Sequence, residues 1–149
     1  MLTGSVGIVR VGANSKVELK EKKDRTEDAI YATKAALKEG IVPGGGVALL
    51  NASQKITANA VGEEILLKAI QSPFYTILEN AGIHLMEGTE DHEGYGIDVI
   101  TGERAEMIST GIIDPVLVTK SALKNAVSVV NTIISADCVI SNIRMNESN

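Results

Sequence analysis

Aromatic residues are scarce in this sequence: they make up 3% of it, with no tryptophan and a single phenylalanine. A core built on large rings is therefore excluded, and burial must come from Ala, Val, Ile and Leu, which favours close packing of helices. The chain has 149 residues, of which 44% are hydrophobic and 22% charged. We expect a folded protein of ordinary domain size and not a disordered one.

Cysteine pairs, basic clusters and long apolar runs are also missing. Cys138 is the only cysteine and has no partner for an internal disulfide, which fits a reducing compartment. A net charge of −5 without a basic cluster argues against nucleic acid or an anionic membrane as the main partner. No segment approaches the roughly 18 uninterrupted apolar residues of a membrane span. The first residues lack the basic and apolar regions of a signal peptide, so we expect a cytoplasmic or organelle-matrix location.

The hydrophobic pattern predicts a mainly α-helical fold with small β elements. Alternating Val and Ile in "SVGIVRVG" predict a strand over 5–12. Ser15 and Glu18 form a capping box that opens a long helix over about 16–39, and Gly40 ends it. The remaining predicted elements are helices over 45–56, 61–71, 73–81 (with Ser72 as its N-cap) and 115–136, a hairpin over 97–107 around Thr101-Gly102, and a strand over 138–143. In the last helix, the side chains available for burial are Val116, Val118, Leu123, Ala126, Val127, Val130 and Ile133.

The long helix changes character along its length. Its first half, "KVELKEKKDRT", is charged, whereas its second half, "AIYATKAALK", is apolar and made of small residues. Such a helix leaves one environment and enters another. The change predicts a domain boundary near residues 26–30.

Three consecutive glycines, Gly44, Gly45 and Gly46, lie where a helix is predicted to begin. Glycine costs roughly 1 kcal/mol relative to alanine inside a helix, so its use here calls for a reason. One interpretation is a tight turn that only glycine permits. The other is a ligand site, because free N–H groups and the helix dipole favour an anion and the missing side chains let a ligand approach the backbone. The pattern matches neither GxxxxGKS nor GxGxxG, so both interpretations stay open.

Asp114 and Asp28 each allow two interpretations, a frequent structural one and a rarer functional one. Asp114 precedes Pro115, as the N-cap of a helix often does. Alternatively, its carboxylate accepts hydrogen bonds from ligand hydroxyls, as acidic residues do for ribose in nucleotide sites. Asp28 lies where the long helix turns apolar; most such residues are solvated, but a carboxylate at a domain junction can orient water for hydrolysis.

The remaining reactive side chains predict no site. His84 and His92 flank several carboxylates between residues 87 and 93, but their spacing fits no zinc or EF-hand pattern, so this segment is interpreted as a solvated acidic loop. Cys138 opens an apolar strand, which favours a buried structural thiol over a nucleophile. No metal ligand is predicted.

Three stretches taken in order resemble one family. "VELKEKKDRTEDAIYATKAALKEGIVPGGGVALL" is similar, nearly position for position, to the segment of group I chaperonins (the GroEL type) that runs from the intermediate into the equatorial domain. "GYGIDVITGERAEMISTGIIDPVLVTKSALKNAVSVV" and "SADCVISNI" resemble later equatorial stretches. The resemblance covers essentially the whole chain but only the C-terminal part of such a chaperonin. It implies that 1–38 are half of an intermediate domain and 39–149 half of an equatorial domain.

The resemblance also implies roles for individual residues around ATP. The aspartate of "EDA", here Asp28, positions water for ATP hydrolysis in the family. The central glycine of "GGG", Gly45, contacts the nucleotide, and the aspartate of "GIIDP", Asp114, binds the ribose. Asp98 and Val99 in the hairpin lie over the adenine, with Ile112 packing nearby. If Asp114 also capped the last helix, one residue would serve both roles.

Several family features are absent from these 149 residues. The loops around 56–62 and 82–95 are shorter than in the family pattern, and there is no "GDGTTT" motif to hold phosphates and magnesium, no apical domain for non-native clients, and no glycine-rich tail. We therefore expect this chain to keep the adenosine side of an ATP site, to be inactive alone, and to self-associate or bind other chaperonin subunits. The alternative is a stand-alone, ATPase-dead module that modulates a full chaperonin.

Overall fold

The computed structural model describes residues 6–84, 92–138 and 140. They form α1 (Lys16–Glu39), β1 (Ile41–Pro43), α2 (Val47–Lys55), α3 (Val61–Ala69), α4 (Ser72–Asn80), β2 (Tyr95–Asp98), β3 (Glu103–Glu106), β4 (Ile113–Pro115) and α5 (Val116–Ile134). The predicted mainly α-helical fold is confirmed. No helix in the described ranges is long and apolar enough to cross a membrane.

Helix α1 has the predicted ends. The Ser15 side chain accepts a hydrogen bond from the backbone N–H of Glu18, 3.2 Å away, and the Glu18 carboxylate accepts one from the N–H of Asn14. At the other end Gly40 has φ +84° and donates its N–H to the carbonyl of Ala36. None of the 24 residues of α1 is buried. The caps at Ser15 and Gly40 therefore define where this helix begins and ends.

Two antiparallel two-stranded sheets connect the helices. β2 and β3 form the predicted hairpin, with Gly96 opposite Ala105. β1 pairs with β4, so that Val42 lies opposite Asp114 although the two strands are far apart in sequence. The second pairing was not predicted, because three-residue strands carry too little pattern to be recognised.

The core is small and lies between α2, α4 and the end of the hairpin. Its members, each at most 3% exposed, are Val47, Leu50, Phe74, Leu78 and Met107. A polar link supports it: the amide of Gln71 donates to Ser53 Oγ at 3.0 Å, and this hydroxyl donates to the carbonyl of Leu50. The core therefore fixes α2 and the hairpin relative to each other.

Four predictions of local structure are wrong. Residues 6–12 are not a strand, because no other strand of the described residues lies beside them. Ser72 is the first residue of α4 and not its N-cap, which is Gln71. Asp114 does not cap α5, because it belongs to β4 and the cap position is taken by Pro115. Cys138 is exposed and not buried; the rest of the strand predicted over 138–143, except Ile140, lies outside the described residues.

Helix α5 is also far more exposed than its sequence suggests. None of its residues is buried, and Val118, Val130 and Ile133 are each about half exposed. Only α1 and β4 pack against it substantially within the described residues, with an ion pair from Lys120 to Glu39 at 2.6 Å. The apolar stripe of α5 is thus present as predicted, but the described chain does not cover it.

Candidate functional site

The glycine turn and the Asp114 strand are held together by main-chain hydrogen bonds. The N–H of Gly44 donates to the carbonyl of Ile112 at 2.9 Å, next to the β1–β4 ladder that pairs Val42 with Asp114. The N–H of Val116 donates to the carbonyl of Gly40 at 3.1 Å. These bonds bring three predicted site residues, Gly45, Ile112 and Asp114, into one small region.

The three glycines form a tight turn, as one of the two interpretations required. Gly45 has φ +65° and Gly46 φ +80°, both in the left-handed region. A Cβ on Gly46 would lie 2.6 Å from the backbone N of Phe74, whereas one on Gly45 would lie 3.0 Å from the terminal methyl of Met107. Glycine is thus required by packing as well as by the turn. The N–H groups of the turn remain at the start of α2, where a ligand is also favourable.

Asp114 is half-buried, and its carboxyl group has a shifted pKa and no partner among the described residues. Burial raises the pKa of Asp114 above its ordinary value. Among the described residues, no hydrogen bond or ion pair to this carboxylate is present, so its oxygens remain available as acceptors. A half-buried acceptor of this kind suits a ligand that brings hydroxyl groups, and ribose is such a ligand.

The pKa of Asp114 predicts a specific pH dependence of stability. Because the folded chain binds this proton more tightly than the unfolded chain does, the contribution of Asp114 is most favourable below the unfolded pKa and is lost as the pH rises through the folded pKa. Asp114→Asn should therefore gain stability relative to the natural chain between acidic and neutral pH. Urea midpoints at pH 3 and pH 7 measure this, and a relative loss at pH 7 would contradict it.

The hairpin tip is apolar and is held by Asp98. Oδ1 of Asp98 accepts from the N–H of Ile100 at 2.9 Å, and its carbonyl accepts from the N–H of Gly102 at 2.7 Å. Val99 is 43% and Ile100 92% exposed. The Asp98 carboxylate thus shapes the turn, and the two apolar side chains are free to contact a flat ring. Ile100 was missed in the sequence because a single exposed apolar residue gives no pattern.

A compact turn connects the hairpin to Ile112. The Glu106 carboxylate accepts from the N–H groups of Ser109 (2.9 Å) and Ile108 (3.3 Å). Hydrogen bonds to the hydroxyl and N–H of Ser109 lower the pKa of Glu106. A hydrogen bond from the N–H of Ile112 to the carbonyl of Met107, 2.8 Å long, closes the turn. This turn orients Ile112 toward the core and Asp114 toward β1.

Asp28 lies apart from the other predicted site residues. It is exposed on α1, roughly 17 Å along the helix axis before the helix ends at Glu39, taking about 1.5 Å of rise per residue. Asp114, by contrast, lies near this C-terminal end of α1, since it pairs with Val42 and the N–H of Val116 donates to the carbonyl of Gly40. The described residues therefore do not bring Asp28 into one site with Gly45 and Asp114.

In the described ranges, no three His, Cys, Asp or Glu side chains converge in a group that could hold a metal ion. His92 contacts the Tyr95 ring edge-on at a centroid distance of 6.0 Å, and Glu93 pairs with Lys55. Part of the predicted acidic loop, residues 85–91, lies outside the described residues.

Comparison with known proteins identifies the family. The profile of the TCP-1/cpn60 chaperonin family matches residues 2–144. The chain belongs to this family. A solved structure, described as a group III chaperonin in the open state, superimposes with a TM-score of 0.73 at 27% sequence identity. The match covers 87% of this chain but 30% of that one, so the chaperonin chain described here spans less than a third of its relative.

This match confirms the predicted chaperonin resemblance and the equatorial-type helical fold. Membership of group I stays a prediction, since the similar solved structure belongs to group III. The division at residue 38 and the individual roles of the site residues also stay predictions. Sequence reasoning missed Met107 and Gly96 altogether, because their importance depends on contacts between segments distant in sequence.

Proposed function

We propose that this chain is the C-terminal intermediate and equatorial part of an ATP-dependent chaperonin subunit that assists protein folding. Gly45, Asp98, Val99, Ile112 and Asp114 form the adenosine side of its nucleotide site. The observation that carries this is the pairing of β1 with β4, which puts the glycine turn beside a half-buried carboxylate with no partner among the described residues.

The residues fit an adenosine nucleotide. The carboxylate of Asp114 accepts hydrogen bonds from ribose hydroxyls, the backbone of Gly45 approaches the nucleotide, and Val99 covers the adenine face. Bound ATP supplies the phosphoanhydride bond whose hydrolysis drives the folding cycle. Asp28 would orient water for that hydrolysis only once a further part of the subunit shortens the distance between this residue and the phosphates of the bound nucleotide. Phosphates and Mg²⁺ are held by residues outside this sequence.

The exposed apolar surface of the helices indicates what kind of partner this chain binds. Apolar side chains of α3 and α5 are largely exposed among the described residues: Ile65 is 64%, Val130 49% and Ile133 57% exposed. Such a surface favours contact with other chaperonin segments or self-association in a cytoplasmic or matrix compartment. Non-native proteins would bind only through an apical domain.

Nucleotide binding and turnover test the proposal. Calorimetry should detect ADP binding to the purified chain, and Asp114→Ala should weaken it about tenfold or more, since hydrogen bonds to charged groups contribute about 1.5–3 kcal/mol. The chain alone should show no Mg²⁺-dependent ATP turnover. Mixed with the N-terminal half of a related chaperonin, it should gain ATP turnover. The Asp28→Ala variant should lose this turnover. The matched control Asp24→Ala, one helical turn earlier on α1, should keep it.

Two results would contradict this function. If the chain did not bind ADP at millimolar concentration, it would have no adenosine site. If the isolated chain hydrolysed ATP, it would hold the phosphates itself, contrary to the proposal.

The same uncovered helices favour the second candidate, an assembly module without ATPase activity. That candidate predicts binding to an intact chaperonin ring that is unchanged in Asp28→Ala and Asp114→Ala.

A further inference from the structure

Met107 connects the segments that carry the candidate adenosine contacts, yet none of the roles above involves it. It is 1% exposed and follows the last residue of β3. Its N–H donates to the carbonyl of Gly94 at 3.0 Å, at the base of the hairpin. Its carbonyl accepts from Ile112, whose own carbonyl accepts from Gly44. The main chain of Met107 is therefore one hydrogen bond from the base of the hairpin and two hydrogen bonds, through Ile112, from the glycine turn.

The side chain of Met107 makes the same connection through packing. Its terminal methyl lies 3.0 Å from where a Cβ on Gly45 would be and 3.2 Å from the equivalent point on Gly96, and its sulfur lies 2.9 Å from the latter point. The two glycines therefore leave room for this thioether between the turn and strand β2, and Gly96 also makes room for a methyl of Val47, 2.6 Å from the same point. A methionine suits this gap because its unbranched chain is long enough to reach both sides.

We infer that Met107 is a positioning residue that sets the distance between the Gly45 backbone and the hairpin, and thereby the width of the adenosine site. This inference rests on the proposed function. Leucine has nearly the same volume but ends one atom earlier along the chain, so it cannot reach Gly45 while also filling the space beside Gly96. Met107→Leu should keep the fold and change the site.

The test compares two exchanges within the same core cluster. Met107→Leu and Leu78→Met swap the same two side chains in opposite directions, and Leu78, on α4, is 3% exposed like the rest of the core. Dissociation constants of adenosine and ADP are measured by calorimetry on the full chain, with the folded fraction determined by urea titration. Met107→Leu should weaken both ligands about tenfold, a change of about 1.4 kcal/mol, and Leu78→Met less than about twofold.

A second readout separates positioning from general loosening of the core. In amide NMR spectra, Met107→Leu should shift the signals of both Gly45 and Gly96, whereas Leu78→Met should leave them in place. Equal losses of affinity in the two variants, or unchanged affinity in Met107→Leu, would overturn the inference while the natural chain still binds ADP. If the natural chain binds neither ligand, the proposed function itself fails.

Discussion

Replacing Gly46 by alanine should destabilise the chain by about 2–5 kcal/mol, because two costs add at one position. A side chain at φ +80° costs about 1–2 kcal/mol. The new Cβ would also lie 2.6 and 2.7 Å from the backbone N and Cα of Phe74. Backbone cannot rotate away as a side chain can, so α2 and α4 would have to separate and open the core, at a cost of about 1–3 kcal/mol.

Chemical denaturation in urea measures this effect, and Gly82→Ala is the matched control. Gly82 also has a left-handed backbone, with φ +73°, but no atom lies within 4 Å of where its Cβ would be. It should therefore lose only the conformational part, about 1–2 kcal/mol. If both variants lost the same stability, the close approach of Gly46 to α4 would have no energetic importance.

Phe74→Ala should cost about 3–5 kcal/mol, the usual range for removing a buried phenylalanine. Phe74 is 3% exposed and is the largest side chain of the core; its ring also contacts Tyr75 edge-on, with centroids 5.4 Å apart. A small core cannot refill a cavity of this size. The loss should also release α4 from the glycine turn.

Thermal and urea unfolding followed by circular dichroism test this second expectation. Tyr31→Ala serves as the control, because Tyr31 is 61% exposed on α1 and the amine of Lys34 lies over its ring, 5.7 Å from the ring centre. That exposed pair contributes about 0.5–1 kcal/mol. A Phe74 variant as stable as the Tyr31 variant would mean that the core described here does not support the fold.

Local signals in the sequence predicted the elements that depend on neighbouring residues. The cap at Ser15, the stop at Gly40 and the hairpin turn at Gly102 each need only a few adjacent residues, and all three were found in the structure. By contrast, the β1–β4 ladder and the contacts of Met107 join residues far apart in the chain. The hydrophobic pattern of the sequence carries no information on which distant residues touch, so these contacts could not be predicted.

The incorrect predictions have a common physical origin. Apolar alternation in residues 6–12 and the apolar stripe of α5 show that these surfaces favour burial, but not which segment buries them. Asp114 was misassigned for a related reason. An aspartate before a proline is common at a helix start, and only the pairing with Val42 assigns it to a strand. The residue types thus predict whether a segment favours burial or exposure, whereas only the tertiary structure shows which segment packs against it.

The pairing of Val42 with Asp114 also fixes the order in which the candidate site can form during folding. The hairpin closes locally and on a microsecond timescale, but the β1–β4 ladder must close a loop of about seventy residues. During synthesis, Gly45 would leave the ribosome long before Asp114 does. The glycine turn therefore lacks the Asp114 carboxylate beside it until about seventy further residues have been made, so a nascent chain could gain nucleotide affinity only after that delay.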